Sequence, residues 1–260
     1  MAIGINNVYQ KVLALANKEQ RGYITPQEFN LFADQAQMEI FEQYFYDLEQ
    51  RQRAVGNEFD YADMVNSIEE KISIFEINNK LLSIIDNIGN VDVNITDANG
   101  HPNMYKLGSV TINYPNVSNT GYEDIHYTVE QIQIKDLNLH RMSSLQTFSR
   151  KRPVYVKYSE SLVPVKLQIY PHPSQSSIVA VNYIRRPKRP NWTYILSGNK
   201  AKNALYNSSA PDHQNFELHI SEESNLVTKI LQLAGVAIKD FGLAQVAGQK
   251  EVNTIQQQKQ

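Results

Sequence analysis

The chain of 260 residues contains no cysteine. Disulfide bonds, thiolate metal sites and a cysteine nucleophile are therefore excluded. Glycine and proline are few, at 11 and 10 residues, and charged residues make up only 20%, a composition typical of a globular chain. No apolar run reaches the roughly 18 residues of a membrane span, and the first ten residues lack the basic and apolar regions of a signal peptide. We expect neither feature.

Charge and catalytic motifs are also sparse. The formal net charge is −2, which provides no general attraction to nucleic acid or to a membrane. The sequence has no phosphate-binding or dinucleotide-binding glycine loop, no His-Glu-x-x-His and no Gly-x-Ser-x-Gly. The six histidines lie too far apart in sequence to suggest a metal site. We therefore predict no catalytic residue, no metal, no cofactor and no membrane partner.

Helical periodicity is clear in the first third of the chain. One helix is predicted over about residues 6–19, and another from about Asp60. The polar segment 51–60 between helices is interpreted as a loop. The apolar face of the first helix comprises Ile5, Val8, Tyr9, Val12 and Ala16. That of the later helix comprises Met64, Val65, Ile68, Ile72 and Phe75.

The helix predicted over residues 25–50 differs from an ordinary surface helix. Thr25 and Glu28 have the spacing of a capping box, and Pro26 suits the first helical position. The helix then carries apolar residues on two sides. One stripe comprises Phe29, Phe32, Ala33, Ala36, Ile40 and Tyr44; the second comprises Leu31, Met38, Phe41 and Phe45. Either the helix is central in its own domain, or the second stripe contacts a neighbouring subunit. Carboxylates such as Glu39 and Glu42 indicate a solvated or interfacial face.

The middle of the chain changes to the period of β-strands. Residues 80–190 are predicted to form a mostly antiparallel β-domain, with a short helix over Leu137–Leu145. Residues 191–220 are a loop-rich connection, and residues 221–242 form a helix that begins at Ser221. We therefore predict an α+β fold, in which a helical bundle from residues 1–79 and 221–242 contains the β-domain as an insert. Residues 243–260 form a C-terminal tail.

Two basic clusters flank predicted strands and are expected to lie near each other. They comprise Arg150, Lys151 and Arg152, and Arg185, Arg186, Lys188 and Arg189. Three interpretations remain: solvated strand ends, contact with carboxylates of a neighbouring protein, or contact with nucleic acid. The small net charge argues against DNA as the main ligand.

The C-terminal tail has a weak apolar stripe of Leu243, Val246, Ala247 and Ile255. The stripe is too narrow to stabilise an isolated helix. The tail is either a frayed terminus or an anchor that becomes ordered when it docks on another protein.

Several segments together resemble virion proteins of tailed phages, especially crAss-like and marine short-tailed phages. They are INNVYQKVLALANKEQRGYITPQEFNLFADQAQMEIFEQYF at the start, then EEKISIFE, RPVYVKY, IVAVNYIRRPKRPNW and FELHISEESNLVTKILQLAGVAIKD. These segments are similar to head–tail connector, or adaptor, proteins that lie beneath the portal. The likeness extends over most of the chain and includes no catalytic residues.

The resemblance implies a ring-forming, non-enzymatic structural protein. Its implied partners are other copies of itself in a dodecamer, the portal protein and other tail or ring proteins. Packaged DNA would pass through the ring without sequence-specific binding. The implied location is the portal vertex or tail of the virion, after synthesis in the host cytoplasm. Another tail-ring or tail-surface, receptor-binding protein is the alternative, and an enzyme of unknown type is a third.

Overall fold

The structure is a computed structural model that describes residues 3–18, 24–53, 59–82, 84, 90–92, 103–114, 126–158, 166–174, 177–196, 204–237 and 249. The fold is mixed α+β, which confirms the predicted class. The chain divides into two compact units. Unit 1 comprises Met1–Ile74 and Pro187–Gln260, and unit 2 comprises Phe75–Arg186.

The α-helices are α1 (Ile5–Lys18), α2 (Pro26–Arg53), α3 (Phe59–Ser73), α4 (Leu137–Met142) and α5 (Glu223–Ala237), and a 3₁₀ turn over Ile220–Glu222 leads into α5. The strands are β1 (Glu76–Leu82), β2 (Asn90–Asp92), β3 (Met104–Asn113), β4 (His126–Ile132), β5 (Val154–Tyr158), β6 (Lys166–Tyr170), β7 (Ile178–Arg185), β8 (Tyr194–Leu196) and β9 (Ala204–Tyr206).

Helices α1, α2, α3 and α5 belong to unit 1, where α5 packs on α1 and α2, and α2 packs on α3. All five apolar positions predicted for α1 are buried. The capping box of α2 is confirmed. The backbone N–H of Thr25 donates to Glu28 Oε2 at 2.9 Å, and that of Glu28 donates to Thr25 Oγ1 at 3.3 Å.

Two segments that were predicted as loops contain regular structure. Helix α2 continues to Arg53, so the polar stretch begins inside a helix rather than in a loop. No glycine or proline occurs between residues 27 and 55, and polarity alone does not end a helix. The connection after residue 190 is also more ordered than predicted, because β8 and β9 pair as a small antiparallel sheet.

Unit 2 contains a seven-stranded sheet in the order β1-β7-β3-β4-β5-β6-β2. Every pair is antiparallel except β4–β5. The parallel pair requires a crossover, which contains α4. The main core of the unit comprises Val91, Val110, Ile112, Val129, Tyr155, Leu167, Ile169, Val179, Val181 and Tyr183. The buried face of β4 does not continue from Ile132 to Ile134, because β4 ends at Ile132 and Ile134 is exposed.

Two β-bulges lie opposite one residue of β7. The register shifts in β1 between Ile77 and Lys80, and in β3 between Leu107 and Val110; both shifts fall opposite Asn182. The Asn182 side chain accepts a bond from the backbone N–H of Asn79 at 2.8 Å and donates to Ser109 Oγ at 2.9 Å. Asn79 has a φ of 58°, a left-handed conformation that asparagine tolerates better than most residues. Asn182 thus satisfies polar groups in both bulges.

The first and last strands of unit 2 are neighbours in its sheet. β1 pairs with β7, and the N–H of Arg185 donates to the carbonyl oxygen of Phe75 at 2.9 Å. The chain therefore enters and leaves unit 2 at adjacent positions.

Candidate assembly surfaces

Residues 187–190, Pro-Lys-Arg-Pro, hold part of the second basic cluster in a segment of unit 1 that is neither helix nor strand. Pro187 and Pro190 are buried, whereas Lys188 and Arg189 are exposed. The segment therefore displays two cationic side chains from a backbone that its prolines anchor.

A buried glutamine on α2 fixes this backbone further. Gln37 is fully buried; its Nε2 donates to the carbonyl oxygen of Lys188 at 2.8 Å, and its Oε1 accepts from the N–H of Glu217 at 3.1 Å. The N–H of Lys188 donates in turn to Glu217 Oε2 at 2.8 Å. The three residues form a closed ring of hydrogen bonds, so the buried amide satisfies two backbone groups as well as itself.

Other polar residues of α2 hold the same stretch of chain. The amide of Asn30 pairs with the backbone of Trp192, accepting at 2.8 Å and donating at 3.2 Å. Asp34 lies 3.6 Å from Arg189 Nε. Burial raises the pKa of Asp34, and the positive charge of Arg189 opposes that rise. These polar residues between the stripes of α2 therefore position the basic segment.

The remaining residues of this cluster lie in unit 2, at the end of β7. The guanidinium of Arg185 lies 5.5 Å from the ring centre of Phe75, and its Nη1 donates to the carbonyl oxygen of Arg186 at 3.3 Å. The side chain of Arg186 is exposed.

The first basic cluster forms a tight turn, in which Ser149 and Arg152 exchange backbone hydrogen bonds at 3.0 and 3.1 Å. Lys151 is exposed within the turn. Arg152 Nη2 lies 3.2 Å from Glu130 Oε2, an exposed ion pair that contributes little to stability.

Within unit 2, the structure contradicts the expectation that Arg185 lies near the first basic cluster. Arg150 covers the ring of Tyr114, just beyond the last residue of β3, whereas Arg185 pairs with Met104, the first residue of β3. A strand of this length separates its ends by roughly 30 Å at about 3.3 Å per residue. The sheet order, which the sequence did not show, places Arg150 and Arg185 at opposite ends of β3.

Two arginines of unit 2 are stacked on neighbouring tyrosines. Arg150 lies 5.9 Å from the ring centre of Tyr114, and Arg141 lies 5.4 Å from that of Tyr170. The Tyr114 hydroxyl donates to the carbonyl oxygen of Pro171, the residue after Tyr170, at 3.1 Å. Burial raises the pKa of Tyr114 to about 12, although Arg150 opposes the rise. The tyrosines therefore hold two guanidinium groups on one side of the unit.

The same part of unit 2 exposes large apolar side chains, a feature absent from the sequence prediction. Leu139 is 67% exposed, Met142 87% and Leu145 92%. The short helix ends at Met142 rather than Leu145, and α4 has no buried residue. We call Leu139, Arg141, Met142, Leu145, Arg150 and Lys151 the apolar–basic patch. Scattered exposed apolar residues are ordinary, but a concentration of them beside arginines is typical of interaction sites.

The second predicted stripe of α2 divides in the structure. Phe41 is fully buried, Met38 and Phe45 are partly buried, and Leu31 is 68% exposed. Phe41 packs edge-on against Phe45, with ring centres 5.1 Å apart. Phe41 is therefore a core residue, and the prediction of a subunit interface remains one for Leu31 and the exposed parts of Met38 and Phe45.

A longer pattern includes these three residues. Leu31, Met38 and Phe45 recur every seven positions, and Glu28, Gln35, Glu42 and Glu49 recur every seven positions between them. All four polar side chains are exposed. We call the seven residues the acidic stripe. Alternating spacings of three and four place them in one row along a helix, as in the seam of a coiled coil.

Unit 1 also contains charge pairs that could not be predicted from the sequence. Lys71 Nζ lies 2.6 Å from Glu222 Oε1 and 5.7 Å from the ring centre of Tyr44. Burial raises the pKa of Tyr44, and the charge of Glu222 raises it further. The Tyr44 hydroxyl is buried and has no hydrogen-bond partner among the described residues. The buried Lys229 lies 3.6 Å from Glu39.

The predicted docking residues Leu243, Val246, Ala247 and Ile255 lie outside the described residues. Within the described part of the chain, no group of three or more histidine, aspartate or glutamate side chains is placed to hold a metal ion. In that part, no helix combines the length and apolar character that a membrane span requires. Comparison with protein-family models and with curated protein sequences finds no match.

Proposed function

We propose that this protein is a non-enzymatic structural component of a tailed-phage virion. In this role it is a head-to-tail connector, a ring of identical subunits that joins the portal to the tail and continues the DNA channel. The proposal starts from the resemblance of the sequence segments quoted above. In the proposed layout, the helices of both chain ends form a bundle into which the β-unit is inserted.

The exposed apolar side chains of α4 are the structural observation that carries the proposal. A six-residue helix that buries none of its residues obtains little stability from its own chain, since short isolated helices are marginal in water. Exposed Leu139, Met142 and Leu145 would lose contact with water in an assembly, and a permanent interface is more apolar than the ordinary surface. A subunit of an assembly accounts for this surface better than a monomer does.

The anchored basic segment supports the same proposal. Holding Lys188 and Arg189 on a fixed backbone lowers the entropy lost when they bind. In the connector role these side chains meet carboxylates of a neighbouring protein, and DNA in the channel is not bound by sequence.

Electron microscopy of purified virions tests the function directly. Antibody raised against the purified protein is expected to label the neck between head and tail, and symmetric reconstruction should place a ring there. Label on the outer tail surface or fibres would instead support the receptor-binding alternative. Absence of the protein from washed particles would contradict any virion role.

Removal of residues 243–260 tests the docking tail separately. The truncated protein is expected to fold, with the fluorescence of Trp192 unchanged, but to be lost from particles. Full incorporation into stable, DNA-filled virions would contradict the anchor and leave the connector role intact.

A further inference from the structure

Two surfaces of the chain carry opposite charge beside exposed apolar side chains. We propose that the apolar–basic patch of one copy binds the acidic stripe of a second copy. The inference deepens the proposed connector function, on which it rests, by naming the contact between subunits.

Charge complementarity selects these two surfaces as partners. No lysine or arginine occurs between residues 26 and 50, so the acidic stripe lies on a stretch of helix without positive charge. In contrast, Arg141, Arg150 and Lys151 are exposed in the patch, and the only acidic residue between 134 and 152 is Asp136. Surfaces of opposite potential attract each other and disfavour wrong partners.

The apolar side chains also match in character. The stripe presents Leu31 and the exposed parts of Met38 and Phe45 in one row. The patch presents Leu139 and Met142 one turn apart on α4, with Leu145 beyond it. Packing of α4 against α2 of the second copy would cover the face of α4 that is exposed in the single chain. The contact would include arginine and aromatic side chains, which are common in interfaces.

The use of two different surfaces fixes the type of contact. A symmetric dimer through either surface alone would bring like charges together, which opposes association. A contact from the patch of one copy to the stripe of the next is heterologous, and such contacts repeat into a ring or a filament. Each subunit then contacts one neighbour through its apolar–basic patch and a second neighbour through its acidic stripe.

The absence of cysteine allows a direct test by disulfide trapping in the full chain. Leu31→Cys and Met142→Cys are introduced in separate proteins, mixed and oxidised. We expect a disulfide-linked dimer in the mixture, and a ladder of higher multimers when one chain carries both cysteines. The control replaces Leu31→Cys by Leu205→Cys, an exposed apolar position on β9, and should give little product with Met142→Cys.

Charge reversal distinguishes a specific contact from random collision. Adding Glu42→Lys to the Leu31→Cys protein, or Arg141→Glu to the Met142→Cys protein, should lower the yield about tenfold, the effect of losing one good charge pair. Combining both reversals should restore the yield, which also shows that neither substitution prevents folding.

Three results would overturn the proposal. They are a mixed yield no higher than that of the Leu205→Cys control, dimers formed mainly by one variant alone, and a closed disulfide within a single double-cysteine chain. A ring located in the virion neck together with failed trapping would reject this contact and leave the connector function standing. Successful trapping with no protein in the virion would reject the connector function instead.

Discussion

The side-chain amide of Gln37 donates to the carbonyl oxygen of Lys188 at 2.8 Å, across 151 positions of the sequence. The same amide accepts from the backbone of Glu217. One buried side chain of α2 thus joins two segments that follow the β-unit in sequence. The only tryptophan, Trp192, is buried in the same unit, so its fluorescence reports on the unfolding of unit 1.

Gln37→Ala is expected to lower the free energy of unfolding of unit 1 by about 1–3 kcal/mol, because it leaves the Lys188 carbonyl and the Glu217 N–H, both in part-buried hydrogen bonds, without their partner. Urea titration followed by Trp192 fluorescence measures the effect. Gln35→Ala is the matched control, because the amide of Gln35 is exposed and bonds Glu39 at 3.0 Å; it should change stability by about 0.5 kcal/mol or less. Equal effects of the two variants would contradict a structural role for Gln37.

Gly108→Ala is expected to destabilise unit 2. A Cβ at Gly108 would lie 2.9 Å from the backbone oxygen of Asn182, and a backbone atom in a paired strand cannot move aside freely. The cost should be about 1–3 kcal/mol, the usual penalty for overpacking, and amide hydrogen exchange in β3 and β7 measures it.

Gly4→Ala serves as the control for that substitution. Its Cβ would first meet the side chain of Asn7, at 3.6 Å, an ordinary contact. Unchanged exchange protection in β3 and β7 of the Gly108→Ala protein would show that the bulge tolerates a side chain.

Tyr44→Phe is expected to leave unit 1 as stable as before or to stabilise it by about 1 kcal/mol. The substitution removes a buried hydroxyl that has no partner among the described residues, and an unsatisfied buried polar group costs free energy. Tyr46→Phe, at an exposed position of the same helix, is the control. A loss of more than about 1 kcal/mol for Tyr44→Phe alone would mean that the hydroxyl makes a stabilising bond.

Arg189→Gln is expected to raise the pKa of Asp34 further, because Arg189 is the charge that opposes the effect of burial. Since the folded pKa lies above the ordinary value of 3.8, protonated Asp34 favours folding below that pH. This contribution is lost as the pH rises through the folded pKa. Carboxyl NMR titration measures the shift.

Asp34→Asn controls for the assignment of that effect. Residue 34 cannot titrate in this variant. The unfolding free energy should therefore lose the part of its pH dependence that Asp34 contributes between pH 3.8 and the pKa of Asp34 in the folded protein. Added salt should weaken the influence of Arg189, whose side chain is largely exposed. A pKa of Asp34 that falls in the Arg189→Gln protein would contradict the assigned cause.

Local patterns in the sequence predicted local structure well. The apolar face of α1 and the capping box of α2 depend on residues a few positions apart, so spacing alone identifies them. The β-strands of the middle region followed from the change to the period of β-strands. Helix α2 was longer than predicted because its polar end contains no residue that breaks a helix.

Long-range pairing was not predictable from one sequence. In the sequence, Gln37 cannot be distinguished from the exposed Gln35 on the same helix. Nothing near Gln37 in sequence indicates that it bonds Lys188 and Glu217. The sheet order, which separates Arg150 from Arg185, depends on crossovers that periodicity does not report. The exposed apolar residues of α4 were assigned to a short helix, but their exposure follows only from the packing of the strands on either side.

The hydrogen bond between Phe75 and Arg185 has a consequence for the order of folding. Unit 1 is made of two chain segments separated by about 110 residues, and closing a flexible loop of that length costs about 4 kcal/mol of chain entropy by the usual logarithmic scaling. When the β-unit folds first, its adjacent first and last strands reduce this loop to the span of one hydrogen bond. The two chain segments of unit 1 can then pack together at little entropic cost. The folding rate of unit 1 should therefore depend on the prior folding of the β-unit.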